Sequence, residues 1–131
     1  MSATLSVGYV GVEVLDGSVA IQFCNDVWDV RRYLLIAETE NIGAAPDFEG
    51  PRVLFERFDG VRKSIFSGLE TMEFGDASIE FVLSVGAAKA VFDGKRTHRV
   101  ELGNLDASQP TSEILAIARD FAVRNSVEAR Q

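Results

Sequence analysis

The sequence predicts an α+β protein: an antiparallel β-meander sheet of about six to eight strands with a C-terminal amphipathic helix packed on one face. Three observations carry that expectation. First, the dipeptides Asp16-Gly17, Asp59-Gly60 and Gly75-Asp76 each separate runs rich in β-branched and aromatic residues. Asp-Gly and Gly-first pairs suit the tight turns whose twist matches the strands they join. Second, Ile79, Phe81, Leu83 and Val85 alternate with Glu80 and Ser84, the period-two pattern of a sheet covered on one face. Third, Ile114, Leu115, Ala118, Phe121 and Ala122 recur at three- and four-residue intervals, which draws one apolar stripe along a helix.

Taken in order, Ala3 to Leu15 begins with apolar Leu5, Val7 and Tyr9 and then shifts parity to Val10, Val12 and Val14. A change of parity beside Gly8 and Gly11 predicts one strand with a bulge. Val19, Ile21 and Phe23 alternate beyond the Asp16-Gly17 turn and should pair back on it. Asp26 is placed to cap a helical turn, with Asp29 three residues on. The apolar run in residues 32–39 does not by itself separate strand from helix, but its bounded length favours a strand. The turn-rich stretch Asn41 to Gly50 reads as an exposed loop, with Phe48 either a plug dropping back into the core, the favoured reading, or an exposed contact. Pro51 to Val85 is the body of the meander, and Ser67-Gly68 either splits its middle run into two strands or marks a bulge. Gly86 to Phe92 reads as a short helix ended by Asp93-Gly94, with a hairpin at the same dipeptide as the competing reading. Thr97 to Leu102 reads as a last strand with Val100 and Leu102 inward. Asp106 and Ser108 are candidate caps for the final helix, with Pro110 in its first turn. Residues 126–131 read as a frayed tail on a single domain spanning 1–131, with the core at about 4–125.

At 131 residues the chain can close one core without disulfides or metal. Its composition, 47% hydrophobic and 25% charged, is that of a globular protein. No run reaches the ~18 to 20 apolar residues of a membrane span, and the N-terminus lacks a signal-peptide pattern. With the lone Cys24, these features predict a cytoplasmic protein without membrane association. The net charge of −7 argues against nucleic-acid binding, which needs clustered Lys and Arg. The acidity is uneven: residues 1–36 carry −2, residues 37–88 carry −6 and residues 89–131 carry +1. Such an acidic middle is either a solvated surface or a face that steers a basic partner.

Chemistry-bearing constellations are scarce. His98 is the only histidine and reads as an exposed strand residue; Cys24 ends an alternating strand as a small, partly buried side chain. A Cys24–His98 nucleophile pair would require the fold to bring them together. Asp26 and Asp29 are explained by capping. Zinc spacing, calcium-loop spacing and a phosphate loop are all missing, so the expectation is a protein with no catalytic residues, no metal and no cofactor.

Several stretches together resemble a known family: Val-Ala-Ile-Gln-Phe (19–23), Arg-Arg-Tyr-Leu-Leu-Ile (31–36) and Arg-Val-Leu-Phe-Glu-Arg-Phe-Asp (52–59). Phe-Ser-Gly-Leu-Glu-Thr-Met-Glu-Phe (66–74) and Ile-Glu-Phe-Val-Leu (79–83) continue the pattern. Over about residues 10 to 124 the chain is similar to the tenth immunity-protein family of bacterial polymorphic toxin systems. Where that family has Gln-Arg after the Leu run and a Gly-Gly bend, this chain has Ala37-Glu38 and Ser67-Gly68. The resemblance implies a non-catalytic cytoplasmic protein that binds and neutralises a cognate toxin domain, often a nuclease. Candidate partner-binding acids are Glu38, Glu40, Asp47, Glu49, Glu56, Asp59, Glu70 and Glu73. The alternatives are a homodimeric structural or interaction β-sheet protein whose exposed edge pairs, and a small-molecule-binding domain with a Phe- and Trp-lined pocket.

Overall fold

In the computed structural model, which describes residues 2–38 and 53–131, two five-stranded sheets face each other. Sheet B is an antiparallel meander of β2 (Tyr9–Leu15), β3 (Ser18–Cys24), β4 (Tyr33–Glu38), β5 (Val53–Phe58) and β6 (Arg62–Phe66). Sheet A gathers β1 (Ser2–Ser6), β7 (Leu69–Phe74), β8 (Ser78–Leu83), β9 (Thr97–Glu101) and β10 (Glu128–Arg130), in the spatial order β1-β9-β8-β7-β10. Its outer pairs, β1 with β9 and β10 with β7, run parallel. The fold is therefore α+β, but the single antiparallel sheet expected from the turns is two sheets, not all antiparallel.

Two corners hand the chain from one sheet to the other. At Val7–Gly8, Val7 still donates to the Glu101 carbonyl of sheet A while Gly8 donates to the Cys24 carbonyl of sheet B. The parity shift read as a bulge in one strand is this change of sheet. Only glycine fits there, because a Cβ on Gly8 would lie 2.6 Å from the Asn25 carbonyl oxygen. The second corner is Ser67–Gly68, between β6 and β7, where Ser67 takes φ 60°. A Cβ on Gly68 would meet Ile65 Cδ1 at 2.5 Å and Ala87 Cβ at 2.7 Å. The stretch read as one meander thus divides there, its first hairpin in sheet B and its second in sheet A.

Between the sheets lies one hydrophobic core. Phe81 of β8 meets Phe23 of β3 and Phe55 of β5, with ring centroids 5.8 and 5.9 Å apart. Helix α1 (Val85–Val91) is capped by Ser84, whose hydroxyl accepts from the Ala87 amide, and it ends at Asp93-Gly94 in the left-handed region. The helix reading of that dipeptide holds. Val85, expected on the inner strand face, instead starts this helix and is exposed. Residues 33–38 form a strand, as the bounded apolar run predicts. The Asp26 carboxylate accepts from the Trp28 and Asp29 amides, but it closes a bend and not a helical turn.

Helix α2 (Thr111–Arg124) buries Ile114, Ala118, Phe121 and Ala122. It lies beside β7 and β10 and reaches the β2–β3 hairpin, where the Arg124 guanidinium donates to the Gly17 carbonyl at 2.9 Å. Pro110 is its N-cap and no side chain caps it; Asp106, a predicted cap, instead accepts from the Ser108 amide within the preceding turn. In place of a frayed tail, Val127 is buried in the core and Glu128–Arg130 extends sheet A. Ser126, with φ 58°, turns the chain into that strand. Phe48 lies outside the described residues.

Candidate functional site

Among the described residues, the acids named from sequence are not brought onto one surface. Glu38 is buried on the inner side of sheet B, where it accepts from the Val19 amide at 2.8 Å and from Arg124 at 3.1 Å. Glu56 sits on the outer face of sheet B. It is held by the Tyr33 hydroxyl at 2.6 Å and the Ser64 hydroxyl at 2.7 Å. Burial, with the neighbouring carboxylate, pushes the Tyr33 phenol up from its ordinary pKa. Glu73 lies on the outer face of sheet A opposite Glu80, on the other side of the molecule from Glu56. Glu70 pairs with Arg96 at 3.2 Å, and Asp59 is exposed in the β5–β6 turn. Glu40, Asp47 and Glu49 lie outside the described residues.

His98 is not the exposed strand residue expected. It shares the parity of Val100 and Leu102, so it points inward and is 1% exposed. Phe55 and Phe92 pack edge-on against its ring at 5.2 and 4.9 Å. Desolvation pushes its pKa down to about 4, with the Arg57 and Lys95 charges adding to the shift and the Lys95 carbonyl opposing it. Cys24, expected to be partly buried, is buried, and desolvation raises its thiol pKa. It lies on the outer face of sheet B, whereas His98 faces inward from sheet A. The fold therefore keeps the two apart.

The most distinctive surface is the edge of β2. In an antiparallel pair, alternate residues direct both main-chain groups to one neighbour. Val10 directs both towards the free edge, where the Gln109 side-chain amide takes them: the Val10 amide donates to Oε1 at 3.0 Å, and Nε2 donates to the Val10 carbonyl at 2.6 Å. Gln109 thus does for Val10 what the peptide group of an adjacent strand would do. Val12 and Val14 have the same orientation by parity, and among the described residues no main-chain or side-chain group continues the pairing. Their side chains, 42% and 64% exposed, line an apolar groove of about 450 Å³ with Val19, Ile117 and Phe121. Asp120 stands in its wall, and Glu13 is exposed on the opposite face of the same strand.

A second apolar feature lies at the other end of the β2–β3 pair. In the loop after β3, Trp28 is 91% exposed and flanked by exposed Val27 and Val30. The loop is ordered by side chains. Asn25 Oδ1 accepts from the Arg31 and Arg32 amides, both at 2.9 Å, and Arg31 pairs with Asp29 at 2.9 Å. Sequence reasoning left Trp28 unassigned and passed over Gln109. The Val10–Val12–Val14 alternation was visible, but not that the strand ends up at a sheet edge.

No family model matches the chain, and no curated protein or solved structure matches it. The resemblance to an immunity-protein family therefore rests on the strand and turn patterns of the sequence alone.

Proposed function

We propose that this chain is a non-catalytic protein-interaction module that takes an extended segment of a partner protein as an added strand on β2. The observation that carries this reading is the unpaired edge at Val12 and Val14 beside an apolar groove. Main-chain groups on such an edge supply affinity to an incoming strand, and a groove for alternate side chains supplies selectivity. Residues of the added strand that flank Val12 and Val14 enter the groove beside Ile117 and Phe121. The residue opposite Glu13 meets a carboxylate. With Asp120 in the groove wall and a net charge of −7, the matching segment alternates apolar and basic residues. Trp28 offers a second anchor, since tryptophan is enriched among the residues that carry binding energy at protein interfaces.

A second copy of the chain fits this edge less well. Gln109 already occupies Val10, so a two-fold antiparallel pairing of β2 with itself centres on Glu13 and sets Glu13 against Glu13. Like charges directly opposite are destabilising. An immunity-type role is the particular case in which the partner is a basic toxin domain. The general module is favoured because Glu38 is engaged inside the fold, Glu56 is held by Tyr33 and Ser64 on the outer face of sheet B, and Glu73 faces away from Glu56.

The test is a fluorescence titration with a labelled synthetic peptide of alternating Val and Lys, at low and high salt, with size-exclusion light scattering alongside. Val14→Pro removes one edge donor without touching the β2–β3 ladder. The expected result is 1:1 binding that weakens with salt and is lost in Val14→Pro at unchanged melting temperature. A dimer that Val14→Pro dissociates would assign the edge to a second copy. Peptide binding that is unaffected by Val14→Pro, or no binding at either salt, would overturn the reading.

A further inference from the structure

Away from the β2 edge, a cavity of about 50 Å³ opens between the sheets beside the end of α1. Arg57, Asp59, Lys63, Asp93, Lys95 and His98 contribute to its wall. Three cations face two carboxylates, and one of these opposite charges is already matched by Lys63 and Asp93 at 3.3 Å. Two buried polar atoms of this wall lack a hydrogen-bond partner among the described residues: Arg57 Nη1 and His98 Nδ1. Leaving either one unsatisfied is costly, so both call for a ligand.

The chemistry of the two atoms is opposite. A guanidinium nitrogen only donates. His98 Nε2 is 3.0 Å from the Lys95 carbonyl oxygen, which only accepts, so Nε2 carries the proton. The ring is neutral at pH 7, because burial holds its pKa near 4. Nδ1 therefore presents a lone pair and needs a donor. A single water needs only ~10 to 15 Å³ of such space, so the cavity has room for a small polyatomic species. The net positive charge of the wall selects an anion.

We infer that this cavity binds a small oxyanion that keeps a hydroxyl, of the hydrogencarbonate or hydrogenphosphate kind. One oxygen accepts from Arg57 Nη1, and the hydroxyl donates to His98 Nδ1. Chloride and sulfate have no proton to give at neutral pH, and they would set negative charge against the Nδ1 lone pair. The same argument gives His98 a place in the core that an apolar residue could not fill, without assigning it any catalysis.

Because the chain has one histidine, a single pair of imidazole nitrogen resonances reports on the site. The ¹⁵N-labelled chain is titrated at pH 7.5 and constant ionic strength with sodium hydrogencarbonate, sodium phosphate, sodium chloride and sodium sulfate in separate series. The expected result is a saturable shift of Nδ1, with Nε2 little changed, for hydrogencarbonate or phosphate only. The melting temperature should rise with the logarithm of the same anion's concentration. Arg57→Gln should abolish both responses. A response to just one of the two oxyanions would say which source is used. An Nδ1 resonance that no anion moves would leave water as the occupant and overturn the inference. An equal response to chloride and sulfate would overturn the requirement for a hydroxyl.

Discussion

Lowering the pH from 7.5 to 4.5 should destabilise this protein through His98, by an amount the structure sets. The folded-state pKa of His98 is about 4 against an ordinary 6.5, with desolvation between Phe55 and Phe92 as the leading cause. Between those values the unfolded chain binds a proton that the folded chain refuses. Stability from this group is therefore complete above pH 6.5 and declines as the pH falls towards 4. The limiting slope is ~1.4 kcal/mol per pH unit, and the loss accumulated by pH 4.5 is about 2.5 kcal/mol. Acid also protonates carboxylates in any protein, so the comparison is with His98→Phe, which keeps an aromatic ring between Phe55 and Phe92 and cannot titrate at that position. Urea unfolding followed by circular dichroism at half-unit pH intervals measures both chains. For a urea m-value of about 2 kcal/mol/M, the wild-type midpoint should fall about 1 M further than that of the variant. Parallel curves for the two chains would refute the claim that His98 is buried neutral, whatever the absolute stability of the variant.

Three further outcomes follow from the same geometry. Gly8→Ala should cost ~1 to 3 kcal/mol, since its Cβ would press on the Asn25 carbonyl oxygen. Gly11→Ala, whose Cβ meets only the Tyr9 ring at 3.6 Å, should be near neutral; thermal melts of the two variants measure the difference, and equal losses would refute the steric role of Gly8. Gln109→Ala should destabilise by ~1 to 3 kcal/mol by orphaning both main-chain groups of buried Val10. It should also lengthen the open edge of β2, which light scattering would register as increased self-association. Phe121→Asp places a charge in the core beneath α2 and should abolish cooperative unfolding in a thermal melt, while Phe121→Ala should retain it with a loss of ~3 to 5 kcal/mol.

Local rules carried the sequence reading where neighbours along the chain are neighbours in space. The β2–β3 hairpin, the β5–β6 and β7–β8 hairpins, α1 with its Asp93-Gly94 end and the apolar stripe of α2 all rest on turn chemistry and periodicity. Those signals are complete within a dozen residues. They fail where a strand's partner is distant. The pairings of Ser2–Ser6 with Thr97–Glu101 and of Glu128–Arg130 with Thr71–Glu73 are both parallel, and no turn announces them. Ser67-Gly68 shows the same limit. A bend is legible in its composition, but whether the next strand pairs with the last one or crosses to another sheet depends on Ile65 and Ala87 closing around the glycine.

The binding features divide along the same line. Composition and periodicity alone establish that the chain is acidic, that it has one histidine and one cysteine, and that Val10, Val12 and Val14 share a face. That this face borders an open edge clasped by Gln109, ninety-nine positions away, follows from the folded arrangement. The same arrangement holds Glu38 inside the fold, ties Glu56 to Tyr33 and Ser64 on an outer face, and brings His98 into a core in which Arg57 is its neighbour across a cavity. The physical reason is that side-chain parity follows from consecutive residues. Burial, charge pairing and pKa depend on which distant strand supplies the other wall.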